Sequence, residues 1–116
     1  LTPSRVLDTR NGIGAPLARV GQAPLEVQLF GRGGVPTGSV SGVMLNVTAD
    51  AATAGTFVTV YPGGSDRPNA SNLNLMTGQT LANMVLARLG PDGTAMMFNN
   101  SGVVDLIADV VGYFTD

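Results

Sequence analysis

The run Leu81-Ala-Asn-Met-Val-Leu-Ala-Arg-Leu89 decides the fold class of this chain. Leu81, Met84, Val85, Arg88 and Leu89 stand at helical spacing, and the segment is rich in helix formers. Three features count against a helix. The run is short, it lacks an acidic first turn, and it leads straight into the turn Gly90-Pro-Asp-Gly93. It therefore reads as a strand, joined to the next one as a hairpin.

With that segment assigned, no helical pattern is left, and period-two alternation recurs along the chain. Leu25, Val27 and Leu29 alternate with Glu26 and Gln28, and Val43, Leu45 and Val47 with Met44, Asn46 and Thr48. Thr56–Tyr61 is β-branched and aromatic, and Asn72–Leu75 alternates amide with leucine. Thr94–Phe98, Arg5–Thr9 and Val103–Phe114 complete eight candidate strands between Gly, Pro and Asn turns. This pattern predicts an all-β, antiparallel, eight-stranded β-sandwich, with a barrel as the variant. A faint duplication points the same way. Gly21-Gln22, Gly31–Gly34 and Ser41-Gly42 repeat as Gly78-Gln79, Gly90–Gly93 and Ser101-Gly102 at an offset of about sixty residues, which implies two four-strand halves about a pseudo-twofold axis.

Residues 1–116 read as one domain, long enough to bury a single core. Leu1 is not a natural start, so the expectation is a module excised from a larger secreted protein, its export signal upstream. No apolar run is long enough to span a membrane as a helix. Charged residues make up 12%, about half the usual share, so the surface must be built from neutral Ser, Thr, Asn and Gly. All 6 cations are Arg, and the net charge of −2 argues against nucleic acid as a partner. The absence of His, Lys and Cys removes the commonest general base, the Schiff-base amine and the thiol nucleophile. Only carboxylate-pair chemistry survives that inventory, and Asp105 and Asp109 are four apart on one strand face, roughly 13 Å by strand rise, too far for a retaining glycosidase pair. The chain is therefore expected to be no enzyme and to use no cofactor.

The scarce charges cluster at the two ends, in Arg5-Val-Leu-Asp-Thr-Arg10 and in Val103–Phe114. On the last strand Val104, Leu106, Ala108, Val110 and Phe114 fall on one face, and Asp105, Ile107, Asp109, Val111 and Tyr113 on the other. That second face is apolar enough to shield a carboxylate, Asp109 in first place, and a shielded carboxylate needs a partner. Arg5 or Arg10 can supply it, and an Arg10–Asp109 ion pair would tie first strand to last. Alternatively, Asp8, Arg10 and Asp109 line a polar pocket for a ligand. No Asp-x-Asp-x-Asp-Gly loop supports a calcium site, and no metal is assigned. Asn72, Asn74 and Asn83 carry donors and acceptors suited to sugar hydroxyls or to packing on a sheet face, whereas Asn99 and Asn100 read as a turn. Trp is absent, and Tyr61, ahead of Pro62-Gly-Gly64, is the candidate stacking platform, with Tyr113 expected to pack.

Six motifs in order, Arg5-Val-Leu-Asp-Thr-Arg10, Gly33-Gly-Val-Pro36, Val43–Thr48, Phe57–Pro62, Ser71–Asn74 with Gly78-Gln-Thr80, and Asp109–Phe114, resemble a module of actinobacterial secreted proteins. The likeness covers nearly the whole chain, although Val6 and Met96-Met97 depart from the residues common there. The resemblance implies an extracellular, cell-surface or secreted, accessory role, in tandem or beside a hydrolase. It carries over no ligand and no binding residues. Together these readings lead to a non-catalytic binding module for a polysaccharide or cell-wall glycan, with Asp8, Arg10, Tyr61, Asn72, Asn74 and Asn83 as candidate contacts. The alternative is an assembly module forming a homo-oligomer through its neutral surface, helped by exposed Met76, Met84, Met96 or Met97.

Overall fold

The computed structural model describes residues 3–115. Its eight strands are β1 (Ser4–Asp8), β2 (Leu25–Gln28), β3 (Val40–Asp50), β4 (Thr56–Pro62), β5 (Leu73–Leu75), β6 (Leu81–Ala87), β7 (Thr94–Asn99) and β8 (Asp105–Thr115). Two antiparallel sheets, ordered β1-β8-β3-β6 and β2-β7-β4-β5, pack face to face. They are not closed into a barrel, so the sandwich and not its variant is the fold. No helix is present among the described residues, and none is long and apolar enough to cross a membrane.

The strand reading holds for Leu81–Ala87, with Arg88 and Leu89 outside the strand, but the hairpin expected after it does not form. β6 and β7 belong to opposite sheets, and the turn Gly90–Gly93 carries the chain from one to the other. Of the consecutive strands only β4 and β5 are neighbours; every other connection crosses the sandwich. This is the strand order of a double Greek key, the jelly roll. Exchanging each strand for the one four places along turns β1-β8-β3-β6 into β5-β4-β7-β2, which is the second sheet read backwards. The topology is thus pseudo-twofold. Two of the sequence matches fit it, since Gly21-Gln22 and Gly78-Gln79 precede β2 and β6, and the two glycine turns follow them. The third does not, because Ser41-Gly42 lies in β3 and Ser101-Gly102 between β7 and β8.

The inner faces alternate as amphipathic strands should. Val43, Leu45, Val47 and Ala49 of β3, Leu106, Ala108 and Val110 of β8, Val58 of β4 and Met97 of β7 are among the core residues, each with 2% exposure or less. Met97 therefore belongs to the core and contributes no exposed methionine; Met96, its outward neighbour, is only half-buried. Three register irregularities adjust the alternation, one of them at Ser41 in β3. In β8 the register slips around Val111, so Tyr113 turns inward opposite Val43 and Phe114 outward opposite Gly42, reversing the faces expected for both. In β1 it slips at Val6, so Arg5 pairs with Asp109 and Leu7 with Ala108. A bulge adds one residue to one strand, so Arg5 and Asp8, three apart, come to the same outer face.

Glycine is required where the turns touch the core. Gly93 has φ +74, its carbonyl accepts from Leu29 and Phe30, and a Cβ there would fall on the Phe30 ring. Gly93→Ala should destabilise the fold by at least about 2 kcal/mol, adding left-handed strain to overpacking. A urea titration giving a midpoint indistinguishable from wild type would contradict this placement.

Candidate functional site

The terminal charges form a cluster on the outer face of the β1-β8-β3-β6 sheet, with a different wiring from the one expected. Arg5 holds Asp109, its Nε 2.9 Å from Oδ1, and also reaches Asp8 Oδ2 at 3.3 Å. Arg10 holds Asp8, with Nε and Nη2 each 3.0 Å from a carboxylate oxygen. The Arg10–Asp109 pair is therefore replaced by Arg5–Asp109 and Arg10–Asp8. The Val6 bulge explains the exchange, for it aims Arg5 at Asp109 while Arg10 lies beyond the strand end, in the turn. Asp109 is 22% exposed, and the fully shielded carboxylate is Asp8, at 0%. Asp105 has a third arginine, with Arg19 Nε 3.2 Å away, and accepts from Thr9 Oγ1 at 2.8 Å.

Asp8 is saturated. Its carboxylate accepts from the backbone N–H, Nε and Nη2 of Arg10, from Asn11 Nδ2 at 2.9 Å and from Arg5 Nη1. Its own N–H and C=O close the turn onto Ile13, and its carbonyl also accepts from Asn11 N. The hydrogen bonds from Arg10 hold the Asp8 carboxyl well below the usual carboxylate range; burial opposes them, and Asn11 adds to them. In return, Asp8 raises Arg10, and the hydrogen bond to Asp109 raises Arg5. A carboxylate with every lone pair engaged has nothing left for a ligand. Asp8 and Arg10 are thus a structural clasp and not the polar pocket expected of them. Among the described residues no three acidic side chains converge to hold a metal ion.

The other candidate residues scatter. Tyr61 is buried, 7% exposed, so it offers no stacking platform. Thr59, Tyr61 and Phe98 all point outward from the β2-β7-β4-β5 sheet yet are shielded, because the chain after β4 doubles back over that face. Thr59 Oγ1 donates to Ala70 O at 2.7 Å, and the Arg67 guanidinium carbon lies 3.7 Å from the centre of the Phe98 ring. Asn72 is spent on the backbone: its Oδ1 accepts from Val60 N and its N–H donates to Val58 O. Asn83 donates to Asn72 O at 3.1 Å, closing the sandwich between β6 and the approach to β5. Asn99 ends β7, is fully buried, accepts from Thr56 Oγ1 and donates to Val20 O and Gly102 O, so it organises its turn from the core.

Asn74 does not itself line a cavity but contacts a residue that does. It lies opposite half-buried Phe57 in the β4–β5 register, and Ser71 Oγ donates to its Oδ1 at 3.1 Å. Beside them the doubled-back segment leaves a groove of about 300 Å³ lined by Phe57, Arg67, Pro68, Asn69, Ala70 and Ser71. The Phe57 ring forms part of it, tilted 56° to Phe98 with centroids 6.2 Å apart. Sequence reasoning missed this site because Phe57 and Phe98 alternate as ordinary strand residues. The available signal was Asp66-Arg-Pro-Asn69, a polar stretch too long for a tight hairpin. On the opposite sheet, Met84 and Leu86 of β6 and Phe114 of β8 are 52%, 46% and 53% exposed, and Leu86 and Phe114 line, with Ser41, Gly42 and Arg88, a shallow depression of about 260 Å³.

Comparison with known proteins yields no match, neither to a family model nor to a curated protein nor to a solved structure.

Two outcomes test the clasp. Asp8→Ala should destabilise by about 2–4 kcal/mol, and Arg10→Ala by about 1–2 kcal/mol because the carboxylate keeps its other donors. If thermal melts put Arg10→Ala below Asp8→Ala in stability, the wiring is wrong. Because the folded-state pKa of Asp8 lies below its unfolded value, its contribution is complete above about pH 4 and is lost as pH falls further. In urea titrations at decreasing pH, the stability gap between wild type and Asp8→Asn should narrow on the acid side of that point.

Proposed function

We propose that this chain is a non-catalytic, extracellular binding module that recognises a glycan in the groove beside Phe57, as an accessory to an enzyme or surface protein. The observation that carries this reading is the groove itself, which pairs an aromatic ring with amide, hydroxyl and guanidinium groups in about 300 Å³. A sugar presents an apolar face to a ring and hydroxyls to donors and acceptors, and this lining has both. Asn74 is the one expected contact kept in the reading; Phe57, Arg67, Asn69 and Ser71 replace the others. The lack of His, Lys and Cys supports a non-catalytic role, and the likeness to actinobacterial secreted modules supports an extracellular setting. A bacterial cell envelope is the natural source of such a glycan. Jelly rolls serve both lectins and capsid proteins, so the fold favours neither binding nor assembly. Affinity per module would be modest and raised by tandem copies at a polymer surface. Nuclear magnetic resonance titration with soluble glycans should shift amides of residues 57 and 67–74, and Phe57→Ala should weaken binding by roughly tenfold or more. Shifts confined to the Asp8 turn would relocate the site.

A second reading has its own observation. The exposed Met84, Leu86 and Phe114 form an apolar patch beside an edge strand, β6, with no charged residue between Leu81 and Ala87. Native sheets usually protect such edges, so the patch favours assembly with another copy. Light scattering should then report a dimer or larger species that Leu86→Asp returns to monomer. A wild-type monomer at high concentration would remove this reading.

A further inference from the structure

We propose that the glycan taken by the Phe57 groove is an acidic one, its sugar units bearing carboxylates, and that Arg67 receives the charge; this rests on the groove being the glycan site. Four of the six arginines are committed, and of the other two Arg88 lies by the shallow depression at Leu86 and Phe114, away from the groove. Arg5, Arg10 and Arg19 hold Asp109, Asp8 and Asp105, and Arg32 donates to the Gln28 carbonyl. Arg67 has no carboxylate within ion-pair distance among the described residues, not even its neighbour Asp66.

Arg67 is nevertheless held in place. Its guanidinium carbon sits 3.7 Å from the centroid of Phe98, a ring only 8% exposed and braced by Phe57. Stacking on a fixed ring covers one face of the guanidinium, strips part of its hydration and leaves its in-plane N–H groups directed sideways. A carboxylate is the planar acceptor that matches such a fork with two parallel hydrogen bonds. The same groove offers the Phe57 ring to an apolar sugar face, and Asn69 and Ser71 to hydroxyls. An apolar ring face, hydroxyls and an in-plane carboxylate together describe a uronic-acid type of sugar.

The rest of the charge distribution fits a short-range contact. With a net charge of −2, the chain does not draw polyanions from a distance. Asp8, Asp105 and Asp109, however, lie on the opposite sheet and are each paired, which leaves exposed Asp66, beside Arg67, as the acidic neighbour an incoming carboxylate has to avoid. Recognition then depends on the fork itself, and salt should weaken it only modestly.

The test uses calorimetry on the intact chain with four probes: short galacturonate oligomers, the same oligomers with carboxylates methyl-esterified, neutral galactose oligomers, and dextran sulfate. The galacturonate oligomers should bind, and esterification should weaken them roughly tenfold or more, the value of a charge-assisted pair. Arg67→Gln should cause a similar loss for the acidic oligomers and a clearly smaller one for neutral oligomers, which lose only a groove-lining side chain; Arg67→Lys should restore only part. Arg67 is exposed, so these variants keep the fold, as an unchanged amide spectrum would verify. If neutral and acidic oligomers bind equally and both depend on Phe57, the glycan site stands and the acidic inference falls. Dextran sulfate binding as tightly as galacturonate overturns it in favour of a general anion site. No binding by any sugar removes both readings.

Discussion

The buried carboxylate of Asp8 is the constraint from which the rest of the molecule follows. Asp8 ends β1, is wholly withdrawn from solvent and accepts from Arg5, Arg10 and Asn11, while its backbone closes the turn onto Ile13. Burying an ionised group is tolerable only when such bonds replace water, and here nearly every one comes from a residue within three positions. Thr9 then extends the pairing to the last strand, its N–H donating to Leu106 O and its hydroxyl bridging Leu106 N and Asp105. First and last strands are locked side by side, as a jelly roll with β1 and β8 adjacent requires.

That lock assigns separate duties to the two sheets. The face bearing the ionic cluster spends most of its charges internally: Arg5, Arg10 and Arg19 pair with Asp109, Asp8 and Asp105. The other sheet has no such network. There the chain between β4 and β5 doubles back, held by Thr59 and Asn72, and covers Phe98 with Arg67 while leaving Phe57 partly open. The groove is a by-product of that return path.

The bulges show why alternation carries a reader only part of the way. At Val6 and Val111 one additional residue shifts every later side chain to the other face, which is why Arg5 and not Arg10 meets Asp109 and why Phe114 and not Tyr113 faces water. Neither bulge has a glycine at its extra position. Tertiary packing selects them: Val6 and Leu7 are both buried, so β1 must present two consecutive residues to the interior. The misread methionine has a simpler cause. Met96 and Met97 alternate, and only the sheet pairing tells which of the two faces inward.

The sequence by itself determined the all-β class, eight strands close to where they lie, and the core faces of β2 and β3. Those properties reside in local alternation and turn chemistry, which a short window of residues expresses. The ionic partners, the burial of Tyr61 and Asn99, the assignment of strands to sheets and the groove over Phe57 were decided by tertiary structure alone. Each depends on contacts between residues tens of positions apart, and a one-residue slip in register alters them without altering the local pattern.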